Sequence, residues 1–228
     1  MAIFRLFEEP VFPDPEYADP DGLLAVGGDL SPERLLAAYA IGIFPWYADN
    51  SPILWWSTDP RLVLAPEELH VPSSLRRVLN RGEYHVTFDA AFERVIAACA
   101  ATPRPGQEGT WLVPDMVKAY TGMHRLGLCH SVEAWKDGEL AGGLYGIALG
   151  GAFYGESMFF HRPDASKVAF VTLVRHLARR GYLLVDCQQT TDHLLRFGAR
   201  EMPRSRFLQL LGHALERPTE RGKWNGPA

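Results

Sequence analysis

Two short stretches set chemistry-bearing side chains inside apolar strands. Gly155-Glu156-Ser157-Met158-Phe159 carries a carboxylate in a segment otherwise suited to burial. Leu183-Leu184-Val185-Asp186-Cys187-Gln188 repeats the pattern, with an acid and an amide two residues apart at the strand's end. A charge in such a place is costly unless it is paired or turned toward a cavity. Residues i and i+2 of a strand share a face, so Asp186 and Gln188 are expected to point the same way. They would do so outside the carboxyl end of a strand, where ligands gather in α/β sheets. Glutamine is not a Brønsted base, since its amide only accepts and donates hydrogen bonds. The trio therefore suits orienting a reactant and placing charge. The plainer alternatives are a solvent-facing strand end for Glu156 and, for Gln188, a cap on a helix beginning near Thr191.

Aromatic residues form a second set. Trp46 follows Gly42-Ile43-Phe44-Pro45, and Trp111 follows Gly109-Thr110, both beside loop residues where a large ring is hard to bury. Loop aromatics serve as stacking platforms for bases, worth ~1–3 kcal/mol per base, and equally for sugars. Trp55 and Trp56 sit in a strand and read as core. Gly142-Gly143-Leu144-Tyr145-Gly146 suggests a close backbone approach, either to a ligand or to a packed helix. Ala165-Ser166-Lys167 opens a helix whose backbone N–H groups and lysine could hold a phosphate, as many helix starts could.

Other chemistries are excluded. There is no G-x-S-x-G, H-E-x-x-H or P-loop, and the eight histidines show no metal-ligand spacing, so no metal is expected. Cys99, Cys129 and Cys187 are an odd number without a C-x-x-C pair, which points to a reducing cytoplasm. No apolar run reaches the ~18–20 residues of a membrane span, and no secretory signal opens the chain.

The 228 residues, 47% hydrophobic and 22% charged, have globular composition. The net charge of −4 hides an asymmetry: residues 161–228 hold 12 Lys+Arg against 6 Asp+Glu, the first 160 residues 11 against 21. Arg175, Arg179 and Arg180 recur on one helical segment, followed by Arg196, Arg200, Arg204 and Arg206. Solvated helix faces and a phosphate-contacting face both fit this pattern.

The elements that must position these groups follow from periodicity and punctuation. Residues 1–30, rich in Pro, Asp and Gly, read as irregular. Ser31 then Pro32 is an N-cap and first-turn proline, opening a helix that stops at Gly42. Strands are expected over 53–57 and 61–65 around Thr58-Asp59-Pro60, a helix over 72–79 and a strand over 84–88. Asp89 is expected to cap a helix running to about Ala101, and a further helix covers 114–126. Strands over 129–136 and 139–148 flank an Asp137-Gly138 hairpin turn, with a third over 152–159. A long helix covers 164–180, a short buried strand 183–187, and helices 191–197 and 204–215. From residue 84 this order, β-α-α-β-β-β-α-β-α, is similar to that of the acetyltransferase-like α/β fold. Acyl-CoA enzymes of that fold hold a pyrophosphate on a glycine-rich loop before the long helix. Residues 157–165 contain no glycine, which argues against a coenzyme A donor.

Taken together, the segments resemble the leucyl/phenylalanyl-tRNA–protein transferase family over about Phe12 to Leu211. The matching motifs include Gly27-Gly28-Asp29-Leu30, Gly42-Ile43-Phe44-Pro45-Trp46, Leu54-Trp55-Trp56-Ser57 and Asp59-Pro60-Arg61. They continue through Gly109-Thr110-Trp111, His130-Ser131-Val132-Glu133, Gly142-Gly143-Leu144-Tyr145-Gly146, Ala165-Ser166-Lys167, Asp186-Cys187-Gln188 and Gly198-Ala199. The resemblance implies an α/β (α+β) chain with a small N-terminal domain, drawn at 1–62. An acetyltransferase-like (GNAT-type) catalytic domain with a mostly antiparallel sheet follows over 63–228. It implies a cytoplasmic enzyme moving Leu or Phe from aminoacyl-tRNA to the N-terminal Arg or Lys of acceptor proteins, which marks them for degradation, with no cofactor. By matching motif, Asp186, Gln188 and Glu156 would be catalytic. Trp46, Trp111, Tyr39 and Tyr120 would lie at the tRNA 3′ adenosine. Met158, Phe170, Leu173, Leu177 and Val185 would form the donor side-chain pocket, and Lys167, Arg175, Arg179 and Arg180 would meet phosphate. The family pattern is departed from at Phe160, where a small polar residue is expected. A cell-wall aminoacyl-tRNA-dependent transferase, a noncatalytic RNA-binding module and a carbohydrate-active enzyme are the competing readings.

Overall fold

The computed structural model describes residues 3–102 and 112–224. Its first sheet has four strands. Strand β1 (Phe4–Leu6) runs parallel to β2 (Leu23–Gly27), although residues 1–30 read as irregular. The strand was hidden because β1 is three residues long and held by backbone bonds, with Phe4 and Arg5 exposed, so it carries no alternation. Helix α1 (Pro32–Ala40) begins as expected, the Ser31 side chain accepting the Arg34 N–H at 3.3 Å. It ends before Gly42, whose φ of +73° and approach to the Phe207 ring (2.7 Å from an added Cβ) both require glycine. Strands β3 (Phe44–Pro45) and β4 (Leu54–Trp56) complete the sheet in the order β1-β2-β4-β3.

The turn at Thr58-Asp59-Pro60 does not make a hairpin. It carries the chain into a second sheet at β5 (Arg61–Leu64). Helix α2 (Ser73–Arg81) closes on left-handed Gly82 and leads to β6 (His85–Phe88). Asp89 does not cap α3 (Phe92–Ala101): its φ is +52° and its carboxylate takes His130, the Ser131 N–H and the Trp224 N–H. The carboxylate of Glu133, reached from the neighbouring strand, faces the Ala90 and Ala91 N–H groups instead. Helix α4 (Pro114–Arg125) precedes the meander of β7 (Cys129–Lys136), β8 (Glu139–Leu149) and β9 (Ala152–Phe160). Helix α5 (Ala165–Arg179) crosses over to β10 (Leu184–Gln188). Helix α6 (Asp192–Leu195) is shorter than its sequence suggested. Strand β11 (Arg200–Met202), short and exposed, has no sequence signal, and α7 (Arg204–Leu215) follows.

The second sheet has seven strands in the order β11-β5-β10-β9-β8-β7-β6, all antiparallel except the β9–β10 pair. It is a mixed α/β arrangement with a mostly antiparallel sheet. Both faces are covered. Residues of α1, α3, α4 and α7 pack on one face against Tyr145, Ile147, Tyr154 and Leu184. Helix α5 packs Val168, Phe170, Leu173 and Leu177 on the other, against Leu144, Phe153 and Val185. Burying each such side chain contributes ~1.5–3 kcal/mol. Gly142 is explained by this packing: a Cβ there would meet the Ala165 Cβ at 2.7 Å, so the close approach is to a helix and not to a ligand.

Candidate active site

The parallel ladder joins Leu184, Val185 and Asp186 to Ala152, Phe153 and Tyr154 and then stops. Strand β9 continues along β8, while β10 leaves through a register shift between Asp186 and Gln188. A cavity of about 450 Å³ lies beside this separation. Gly155 to Met158 line it from β9, Cys187 to Gln189 from β10, Phe44 to Trp46 from the first sheet, and Phe170 and Leu173 from α5.

Glu156 reaches this place through a second irregularity. Tyr145 pairs with Ser157 and Gly146 with Gly155, so Glu156 is the extra residue of a bulge. Its Oε1 accepts the Tyr39 hydroxyl at 2.7 Å and the Gln188 side-chain N–H at 3.0 Å, and its Oε2 accepts the Tyr120 hydroxyl at 2.8 Å. The two tyrosine oxygens are 2.7 Å apart. Only 8% of Glu156 is exposed. Burial pushes its carboxyl up to about 7, with the Tyr39, Tyr120 and Gln188 hydrogen bonds pulling down and the Asp186 charge pushing up.

Asp186 does not share this cleft. The two side chains take different partners: Gln188 adopts φ +60°, the register shifts between them, and Gln188 but not Asp186 lines the cavity. The Asp186 carboxylate is fully buried and takes both ends of Arg61, Nε at 2.8 Å and Nη2 at 2.6 Å. The same Oδ1 accepts the Gln188 backbone N–H at 2.9 Å and so holds the bend. Arg61 lies between the rings of Phe44 and Phe207, 4.8 and 4.6 Å from their centroids. Sequence reading passed over Arg61 as a functional residue. The cost of burying a charge, applied to Glu156, would have marked it too, at the head of the apolar strand Arg61-Leu62-Val63-Leu64.

The amide of Gln188 has one orientation here. Glu156 Oε1 already accepts the Tyr39 hydroxyl, so Gln188 turns its N–H to that oxygen and keeps its own oxygen for another partner.

The other expected site residues divide. Trp46 is half-buried on the cleft wall, packed edge-on against Trp56, whose indole N–H donates to the Trp46 carbonyl. Trp55 is core, as read. Trp111 lies outside the described residues. Tyr39 and Tyr120 are completely buried and hold Glu156 from behind, so their hydroxyls do not face the cleft as an adenosine contact would. Met158, Phe170, Leu173 and Val185 line the cavity, but Leu177 does not: it lies one helical turn further along α5, in the core. His193 and Leu194, unremarked in the sequence, line it as well. Phe160 is exposed and away from the cavity wall.

Lys167 pairs with Asp164 at 2.6 Å. Arg175 and Arg179 are exposed beside a smaller cleft between α2 and α5. Arg180 is committed elsewhere, paired with Glu220 and lying over the Trp224 ring. Among the described residues, no helix is long and apolar enough to cross a membrane.

A family model described as leucyl/phenylalanyl-tRNA protein transferase matches residues 63–212. A second, described as the N-terminal domain of that transferase, matches residues 28–59. A protein of Anaeromyxobacter sp. (strain Fw109-5) named leucyl/phenylalanyl-tRNA–protein transferase is 66% identical over 225 residues, 99% of this chain and 96% of that one. Proteins of the same name from Maridesulfovibrio salexigens and Myxococcus xanthus are 60% and 58% identical, each over 98% of this chain and over 94% and 97% of their own lengths.

Proposed function

This chain belongs to the leucyl/phenylalanyl-tRNA–protein transferase family, and from that premise we propose how its cleft works. The enzyme moves leucine or phenylalanine from charged tRNA to the N-terminal Arg or Lys of an acceptor protein, which marks that protein for degradation in the cytoplasm. The observation that carries the reading is the Gln188 amide, fixed by Glu156 on the wall of a cavity with an apolar end.

The donor's side chain enters among Met158, Phe170, Leu173 and Val185, and its terminal adenosine stacks on Trp46, with Trp111 as the second platform. The acceptor's α-amino group has a pKa of ~7.7–8.0, so roughly a tenth is already neutral at pH 7. Positioning is therefore the larger task. The free oxygen of Gln188 accepts a hydrogen bond from that amine and aims its lone pair at the ester carbonyl. Asp186 acts one step back, through the Gln188 backbone, because Arg61 occupies both its oxygens. Ester to amide is downhill, so the reaction needs no nucleotide and no cofactor. A noncatalytic RNA-binding module would leave the buried cradle of Glu156 without a use.

The test is incubation with Leu-, Phe- and Met-tRNA and an Arg-ended peptide, followed by mass analysis. Addition of one residue to the peptide's amino end is expected, and an unchanged peptide refutes the reading. Lys167, Arg175 and Arg179 supply phosphate contacts. Arg175→Ala/Arg179→Ala should reduce the slope of log affinity for tRNA against log salt by about 2, and an unaltered slope removes them from the tRNA path.

A further inference from the structure

Glu156, Tyr39 and Tyr120 form a closed ring of three oxygen–oxygen contacts at 2.7, 2.7 and 2.8 Å. Each contact of that length calls for one proton between its oxygens. The two hydroxyls supply two. Both tyrosines are held well above their usual range by burial and by the Glu156 charge, so neither gives up its proton. The third proton can only be the carboxyl's own. With Glu156 neutral, Oε2–H donates to Tyr120, Tyr120 to Tyr39, and Tyr39 to Oε1, while Gln188 donates to Oε1 from outside the ring. With Glu156 ionised, both hydroxyls turn to the carboxylate and the Tyr39–Tyr120 contact has no proton. The ring therefore accepts one proton and closes on it.

We propose that Glu156 is the group that carries the proton during aminoacyl transfer, and that Tyr39 and Tyr120 are the positioning residues that make it able to. This rests on the reading of the cleft given above. The acceptor nitrogen bonds to the ester carbon and loses a proton to the Glu156 carboxylate. The bond from that carbon to the ribose 3′ oxygen then breaks, its electron pair stays on the oxygen, and the Glu156 proton moves there. One proton has passed from amine to ribose and the carboxylate is restored. Asp186 cannot serve in this role, since it is fully buried, ion-paired with Arg61 and absent from the cavity wall that Glu156 lines. The groups facing Glu156 are Tyr39 from α1, Tyr120 from α4, Cys129 from β7, Tyr145 from β8, and Asp186 with Gln188 from β10. Of these only Asp186 is charged, and its ion pair with Arg61 moderates its effect.

The experiment is the pH dependence of kcat for Phe transfer at saturating Phe-tRNA, from about pH 5.5 to 8.5, in the native enzyme, Tyr39→Phe, Tyr120→Phe and Glu156→Gln. The acceptor's own amine titrates at ~7.7–8.0 in every variant, so the Glu156 limb is the difference from Glu156→Gln. The native enzyme should show that extra acid limb. Both tyrosine variants should move it to higher pH, because each removes a donor to the ionised carboxylate. Glu156→Gln should lose it and at least about 100-fold in kcat. An infrared band of a protonated carboxyl, lost as pH rises through the limb and absent from Glu156→Gln, should accompany it whether or not a variant turns over. A limb unmoved in the tyrosine variants, or a band that survives in Glu156→Gln, overturns the proposal. A Gln188→Ala enzyme with full kcat would instead overturn the underlying reading of the cleft.

Discussion

Removing Arg61 should cost more stability than removing Arg61 and Asp186 together. The pair is completely buried, with two hydrogen bonds at 2.8 and 2.6 Å, and Arg61 is stacked between Phe44 and Phe207. Arg61→Met fills much of the same volume but strands the Asp186 carboxylate with one backbone N–H. Breaking a buried pair from one side costs about 3–5 kcal/mol, whereas replacing both partners by apolar residues is often near neutral. For a chain of this size each kcal/mol shifts Tm by about 2–4 °C, so Arg61→Met should melt roughly 6–20 °C lower. Arg61→Met/Asp186→Leu should recover most of that loss. Turnover should not recover with it, because the acceptor that holds the Gln188 N–H is gone in the double variant. The assay is a double-mutant cycle by urea and thermal melting, with Phe transfer measured on each folded protein. A single variant that loses under about 1 kcal/mol, or a double variant no more stable than the single, would refute the reasoning.

Gln188→Ala should lower kcat about 100-fold while Phe-tRNA binding stays nearly constant, as the orienting role proposed for the amide requires; equal loss in both would make Gln188 a donor-binding residue. Trp224 closes the core from the C-terminal end, stacked on His130 at 3.9 Å with its backbone N–H on Asp89. Trp224→Ala should cost about 3–5 kcal/mol of stability by melting, with kcat per folded molecule unchanged; a small loss would show that the segment only rests on the surface. Glu156 stands at about 7 in the folded chain against 4.5 for a free carboxyl. The folded state therefore holds the extra proton, and the stability this gives is complete below the lower value and lost as pH rises to the higher. The loss should approach about 3 kcal/mol, and Glu156→Gln should flatten that part of a urea-melting profile; an unchanged pH slope in that variant would contradict the raised carboxyl.

Local order was legible because it is written in local patterns. The Ser31-Pro32 start of α1, the Asp137-Gly138 hairpin and the apolar face of α5 follow from capping chemistry, turn chemistry and helical period, and each stands where it was expected. The cost of a charge in an apolar strand likewise singled out Glu156 and Asp186 as candidates without any contact being known. Partners were another matter. Arg61 and Asp186 are 125 positions apart, and Tyr39 and Glu156 are 117 apart. No propensity or period relates residues at such a distance, and only the pairing of β5 with β10 in the second sheet and the packing of α1 on that sheet bring them together. The same packing turned Asp89 from an expected helix cap into the anchor of His130 and Trp224. It also bent β10 at Gln188, a bend held by Asp186, which is held in turn by Arg61. By itself the sequence determined which side chains are too costly to bury without a purpose. The tertiary structure decided the partner of each, Arg61 for Asp186, Glu156 for the Gln188 amide, and Tyr39 with Tyr120 for Glu156, because only folding brings such distant residues into contact.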